Sequence, residues 1–228
     1  MTEKNYIPEA YDRIKVVDDI YSFLHEDFEP KANLVLYPRR IQGDFDALAQ
    51  HMAHHFALEE EEIFIKYKDR SKIDDFRKTL GDQKLARCVG LILDDMEFFH
   101  HYGARPHFRI LKTYKADATT HDFHVDGLLR NFDRIMTCYN EPVTQFIRNH
   151  DVLSVSGHKV KHKPDAPIFE FKVGDIWKSR VRNKPRGIFK DIIRRFSSED
   201  RARAFVHRAQ KSVHPRIMMV ADMKPVRF

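Results

Sequence analysis

Over roughly the first hundred positions, apolar residues recur at intervals of three and four; beyond that the spacing shortens to two. Ile14, Val17, Ile20, Tyr21 and Leu24 fall on one face of a helical projection. Pro8 upstream suits a first helical turn, where a missing N–H removes no hydrogen bond. Asp44 can accept from the free N–H groups that open a second helix carrying Phe45, Leu48, Met52 and Phe56 on one side. A third helix is predicted from about Asp82, with Leu85, Val89, Ile92, Leu93, Met96 and Phe99 as its buried face. Gly103 and Pro106 end it.

From about residue 105 the pattern is extended. Segments 108–114, 134–139, 151–156, 168–173, 176–179 and 216–221 read as short strands. Turn residues separate them: Asn140-Glu141-Pro142, Ser156-Gly157-His158 and Gly174-Asp175. Short strands with such turns predict an antiparallel sandwich or barrel. A stretch at about 180–204 interrupts them; it reads as helical and basic, with Ile188, Phe189, Ile192, Ile193 and Phe196 as the face that docks. His158 and His162, set among lysines, read as a solvated loop. Helices first and strands after predict an α+β fold. A helical portion, 1–104, packs on a β-core, 105–228, as one integrated domain.

Composition narrows the function classes. At 228 residues and 42% hydrophobic, the chain can bury a proper core. No run of about 18 apolar residues is present, so no spanning helix is expected. Met1-Thr2-Glu3-Lys4-Asn5 is not the apolar segment of a secretory signal, and two cysteines, Cys88 and Cys138, make no disulfide framework; a cytoplasmic location is the expectation. The net charge of +6 conceals an asymmetry: residues 158–228 hold 19 Lys and Arg against 7 Asp and Glu. Arg180, Arg182, Lys184, Arg186, Lys190, Arg194 and Arg195 are candidates for contacting a polyanion or nucleic acid. The alternative is that the basic half partners the acidic half.

The chemistry is carried by His124-Val125-Asp126. On extended backbone, residues two apart point to one side, so this imidazole and carboxylate can hold two positions of one metal ion. A third ligand from a distant strand would complete a 2-His-1-carboxylate face, the set that leaves open positions on non-haem Fe(II). The second His-x-Asp, His25-Glu26-Asp27, lies in a helical stretch where the side chains splay apart. Downstream, His207 precedes Arg216 by nine residues and His214 precedes Lys224 by ten. Arg216 suggests an anionic cosubstrate in the open positions.

This order of features resembles the Fe(II)- and 2-oxoglutarate-dependent dioxygenases over about residues 108–223. The resemblance implies a double-stranded β-helix, or jelly roll. It implies His124 and Asp126 as the first ligand pair, His207 as the distal ligand and Arg216 as the anchor of the far carboxylate of 2-oxoglutarate. The activity it implies is hydroxylation or demethylation of a substrate, with 2-oxoglutarate converted to succinate. His214 and Lys224 are the alternative ligand and anchor. Arg216 opens an apolar run and would project from a strand, whereas Lys224 sits beside Pro225 near the end of the chain, which favours His207 with Arg216. Two departures stand out. The gap from Gly174-Asp175 to His207 is long, which makes the basic stretch an insertion, and Met218 stands where the family often has serine. The competing readings are a β-barrel metalloprotein without oxygenase activity and a basic nucleic-acid or partner-binding protein. A helical iron site from His51, His54, His55 and Glu59 lacks an equivalent second motif. Cys138, in an apolar strand, reads as an inert thiol.

Overall fold

A computed structural model describes residues 7, 11, 13–28, 32–56, 62–112, 119–128, 132–183 and 204–224. The chain begins with β1 (Ile14–Val16), α1 (Ile20–His25), β2 (Leu34–Tyr37), α2 (Phe45–His55), β3 (Glu62–Lys66), α3 (Ser71–Thr79) and α4 (Gln83–His101). It continues as β4 (Arg105–Leu111), β5 (His124–Val125), β6 (Gly127–Leu128), β7 (Asp133–Cys138) and β8 (Thr144–Phe146). A hairpin of β9 (Val152–Ser156) and β10 (Lys159–His162) precedes β11 (Phe169–Glu170), β12 (Ile176–Ser179), β13 (Arg182–Asn183), β14 (Val206–Ala209) and β15 (Arg216–Met223). The result is a mixed α+β fold with two main sheets. The larger runs β1-β2-β12-β7-β15-β4-β3 and the smaller β11-β8-β14-β5-β10-β9; β13 and β6 form a short parallel pair.

Alternation along the strands sorts the side chains into layers. Ile217, Met219 and Ala221 of β15 face the helices, together with Phe108, Ile110, Ile135 and Ile176. Met218 and Val220 face the other way, into an inter-sheet core with Met136, Cys138, Phe146, Phe171, Trp177 and Phe205. A third cluster, Phe123, Val125, Ile147, Val152 and Val206, covers the outer face of the smaller sheet. Strand β15 is covered on both faces, which explains its unbroken apolar run. No helix among the described residues is long and apolar enough to cross a membrane.

Helices α2 and α4 match their predicted spans because their signals are local. Asp44 accepts from the Ala47 N–H and Asp82 from the Lys84 N–H, and Gly103 takes a φ of 81° just past α4. The helix expected through Ile14 is different. Ile14 to Val16 form a strand paired in parallel with Leu34 to Leu36, and α1 starts only after Asp19, whose carboxylate accepts from the Tyr21 and Ser22 N–H groups. Strands β2 and β3 also come from the stretch that reads as mostly helical. The segment around His158 and His162 is the β9–β10 hairpin, not a loop. Arg182 and Asn183 are strand rather than the start of a helix. Lys184, Arg186, Lys190, Arg194 and Arg195 lie outside the described residues. Arg180 is docked on the body, its Nε donating to Ala32 O and its guanidinium 4.8 Å from the Phe28 ring centroid.

One acid sensitivity follows from β4. Burial, reinforced by Arg109, holds His107 down to about 4 from the usual 6.5. The unfolded chain therefore binds the proton first, so His107 leaves stability intact above pH 6.5 and lowers it as pH falls from 6.5 towards 4. Asp133, raised to about 6 by burial, has the opposite slope in part of that window. Comparing His107→Gln with the wild type in urea unfolding at several pH values isolates the effect: the variant is expected to lose less stability on acidification.

Candidate metal centre

The centre is assembled by cross-strand register. His124 on β5 lies directly opposite His207 on β14, and His207 lies opposite Phe146 on β8. Directly opposed residues of an antiparallel pair share a face, so both imidazoles project to the inter-sheet side with their ring centroids 4.6 Å apart. Val125 and Val206, one position along, point to the outer cluster. Asp126 follows β5 and brings its carboxylate between the rings. Its Oδ1 is 3.8 Å from His124 Nε2 and its Oδ2 is 3.7 Å from His207 Nε2. One ligand atom from each of the three residues lies within 4.8 Å of the others, the only such group among the described residues.

These separations are too long for hydrogen bonds. Ligand atoms about 2.0–2.2 Å from a first-row metal lie roughly 2.8–3.6 Å apart at octahedral to tetrahedral angles, so a contraction of the three closes them around an ion. The tautomer is already suited to that. His124 Nδ1 is 2.9 Å from Asp122 O; a carbonyl only accepts, so Nδ1 donates there and Nε2 is the ring nitrogen left facing the Asp126 carboxylate. Burial pushes His207 down to about 4, which keeps its imidazole neutral near pH 7. Burial also works to raise the Asp126 carboxyl, but His207, Arg134 and His124 outweigh it and bring it to about 2. Two imidazoles and one carboxylate are the donor set a divalent non-haem metal takes.

Arg134 holds the carboxylate from the other sheet. Its Nη1 donates to Asp126 Oδ2 and its Nε to Asp222 Oδ1, each at 3.0 Å, tying β7 and β15 to the ligand. Neither Arg134 nor Asp222 has a signal in the sequence, since the guanidinium partners carboxylates 8 and 88 residues away.

Arg216 opens β15 on the inter-sheet side and is 2% exposed. Its Nη2 donates to Thr144 Oγ1 and contacts Cys138 Sγ, both at 2.8 Å. Thr144 lies two positions from Phe146 on the same face of β8, about 7 Å along the strand from the row that holds His207. Cys138 is therefore buried beside a guanidinium. The alternative residues are placed elsewhere. His214 is exposed in the turn before β15, with its N–H bonded to Ser212 Oγ, and lies outside the metal group; Lys224 is exposed just after β15.

Aromatic rings wall the interior next to the centre. Phe205 stacks on His207 at 5.7 Å, Phe146 packs on Phe171 at 4.8 Å, and Phe171 stacks on Trp177 at 4.2 Å. Such a wall excludes water from that side of the ligands.

No family model matches the chain, and no curated protein matches it. Several solved structures are similar over most of their length. A rice dioxygenase for auxin oxidation is 9% identical with a TM-score of 0.44, covering 92% of this chain and 83% of its own. The Arabidopsis thaliana dioxygenase for auxin oxidation 1, in complex with 2-oxoglutarate, is 9% identical with a TM-score of 0.42, covering 94% and 92%. A C-terminally truncated Neurospora crassa protein in apo form is 14% identical with a TM-score of 0.41, covering 99% and 100%.

Proposed function

We propose that the protein is an Fe(II)- and 2-oxoglutarate-dependent oxygenase of the hydroxylase or demethylase type, built on a double-stranded β-helix. The observation that carries this reading is the meeting of His124 and Asp126 with His207, more than eighty positions further along the chain, with one ligand atom from each within 4.8 Å of the others. The sheet orders support the core. With β4, β5, β7, β8, β11, β12, β14 and β15 taken as eight successive strands, the sheets run six-three-eight-one and five-four-seven-two, a jelly-roll arrangement.

His124 Nε2, Asp126 and His207 Nε2 would hold the iron on one face. Bound iron and 2-oxoglutarate would supply the oxidising chemistry with dioxygen as the oxidant, one oxygen atom ending in succinate, formed together with carbon dioxide, and the other in the substrate. The chain's own residues set the stage for it. Arg134 fixes the Asp126 carboxylate so that it stays ionised and oriented. Arg216, with the Thr144 hydroxyl beside it, would receive the far carboxylate, because a planar guanidinium fork matches a carboxylate in two hydrogen bonds. The distance along β8 from the metal row to Thr144 is one that a five-carbon dicarboxylate can bridge. The wall of Phe146, Phe205, Phe171 and Trp177 keeps that passage dry, which strengthens each polar contact inside it.

The test is succinate release from 2-oxoglutarate, measured with and without Fe(II) and ascorbate. Iron-dependent release supports the reading; metal binding without any 2-oxoglutarate turnover would leave a hydrolytic or structural metal site instead. Arg216→Ala is expected to weaken 2-oxoglutarate binding by roughly tens- to thousands-fold, the effect of losing one partner of a buried charge pair. Fe(II) affinity should change little in that variant. An unaltered 2-oxoglutarate affinity would move the anchoring role to another cation, with Lys224 the first to test.

A further inference from the structure

The row of opposed residues that contains the metal ligands continues outward past His124. Lys159 on β10 is the direct partner of His124, and Ser156 on β9 is the partner of Lys159. The next pair on that face is Lys161 with Ser154. By alternation, Lys159 and Lys161 therefore project from the same side of the sheet as the His124 imidazole. Val160, between them, turns to the other face and packs on the cluster of Val125 and Val206. The sheet thus presents one continuous strip: hydroxyls, two ammonium groups, two imidazoles, then the aromatic interior.

Both lysines are exposed, and among the described residues neither ammonium group has a hydrogen-bond or ion-pair partner. Asp126 pairs with Arg134, and Asp151 with Arg148 and Lys163. Lysines often guard the open edge of a sheet against pairing. Here the edge strand is β9, whose residues Val152 to Ser156 carry no charge. The cations stand one strand further in, next to the metal ligand. The hairpin that carries them is pinned there. The Val125 N–H donates to His158 O, and His158 Nδ1 donates back to Val125 O at 2.9 Å. Gly127 makes room for the His158 ring, since a Cβ at that position would lie 2.4 Å from His158 Cε1.

We infer that Lys159 and Lys161 receive a phosphate group of the substrate and so place its reacting part over the metal centre. This deepens the proposed function and rests on it. Phosphate is favoured over carboxylate because two mobile ammonium groups act as point charges that converge on several oxygens, whereas a carboxylate is matched by a planar fork. Neighbouring strands lie about 4.8 Å apart, so the phosphorus would sit within roughly 10 Å of the metal. The phosphate belongs either to a small phosphorylated compound or to a nucleic-acid backbone.

The experiment uses the full chain loaded with Mn(II) in place of Fe(II), with 2-oxoglutarate present. The probes are pyrophosphate and a short thymidylate oligonucleotide, and the readout is paramagnetic enhancement of phosphorus NMR relaxation with its titration midpoint. Wild-type protein is expected to enhance relaxation of at least one probe. Lys159→Gln with Lys161→Gln should weaken that binding by about tenfold while Mn(II) and 2-oxoglutarate affinities stay unchanged. Enhancement of pyrophosphate alone assigns a terminal phosphate; enhancement of the oligonucleotide alone assigns a backbone. Equal enhancement in the double variant, or none in Mn(II)-loaded wild type, overturns the inference by itself. A matching loss of 2-oxoglutarate affinity also overturns it, since the lysines would then serve the cosubstrate. Failure of wild-type protein to bind Mn(II), read separately from the electron spin resonance of free Mn(II), overturns the metal centre and this inference with it.

Discussion

Asp126→Ala is expected to lose tight Fe(II) binding, and with it succinate formation from 2-oxoglutarate. Asp126 is the only anion among the three residues, and its two oxygens face His124 and His207 at 3.8 and 3.7 Å. Removing it leaves two imidazoles beside the Arg134 guanidinium, whose charge would then repel a divalent cation. Loss of a residue that merely orients a ligand already lowers metal affinity by about 10–100-fold. Loss of the charged ligand should therefore exceed that range. The fold should survive, because Arg134 keeps its bond to Asp222 at 3.0 Å. Fe(II) titration of the metal-free variant, alongside its circular dichroism, checks both halves. A folded variant that still binds Fe(II) as tightly as the wild type would remove Asp126 from the centre.

The second large effect is on stability and lies on the helix side of the larger sheet. Arg39 Nη1 and Nη2 bond both oxygens of Asp95 at 2.7 and 2.8 Å, and the Tyr139 hydroxyl donates to Asp95 Oδ2 at 2.8 Å. Arg39 Nε donates to Gly174 O, while the Gly174 N–H donates to Cys138 O. Helix α4, the segment after β2, the end of β7 and the turn before β12 thus meet at one carboxylate. Asp95 and Arg39 side chains are only 12% and 18% exposed, so Asp95→Ala would strand a mostly buried guanidinium. Such a loss destabilises by about 3–5 kcal/mol, which for a chain of this size is a fall in Tm of roughly 6–20 °C. Tyr139→Phe removes one donor to the same carboxylate and should cost about 1.5–3 kcal/mol. Burial, then Asp95, keeps the Tyr139 hydroxyl well above its usual range, so it remains a donor at neutral pH. Urea unfolding measures both losses, and Fe(II) affinity below the transition should be unchanged. A stability loss in Asp95→Ala no larger than in Tyr139→Phe would show that Arg39 finds solvent or another partner.

Parts of this protein are readable from short-range chemistry. The starts of α2 and α4 are written by Asp44 and Asp82 within three residues of the N–H groups they satisfy. The strand character of residues 216–221 follows from apolar side chains on both faces of one segment. His124 and Asp126 were legible as a pair for the same reason: a spacing of two on extended backbone fixes a shared side without help from the rest of the chain. Where local pattern and long-range pairing compete, local pattern misleads. Ile14, Val17, Ile20 and Leu24 fit a helix, yet Ile14 to Val16 gain a parallel partner in Leu34 to Leu36 that no window of sequence contains. The stretch around His158 and His162 read as a loop because lysines alternating with one valine are too weak a strand signal, although the hairpin sets Lys159 in register with His124.

The remaining decisions required the folded chain. The sequence favours His207 over His214 only through the basic residue that follows each, whereas pairing of β14 with β5 puts His207 opposite His124 and His214 stays in an exposed turn. Arg134 became part of the centre because β7 and β15 bring Asp222 beside it and turn it towards Asp126. Stiff backbone transmits direction over two to four residues, which is as far as a motif can be read. Beyond that span, position is settled by which strands pair and which faces are buried, sums over many distant contacts that no single stretch of residues records.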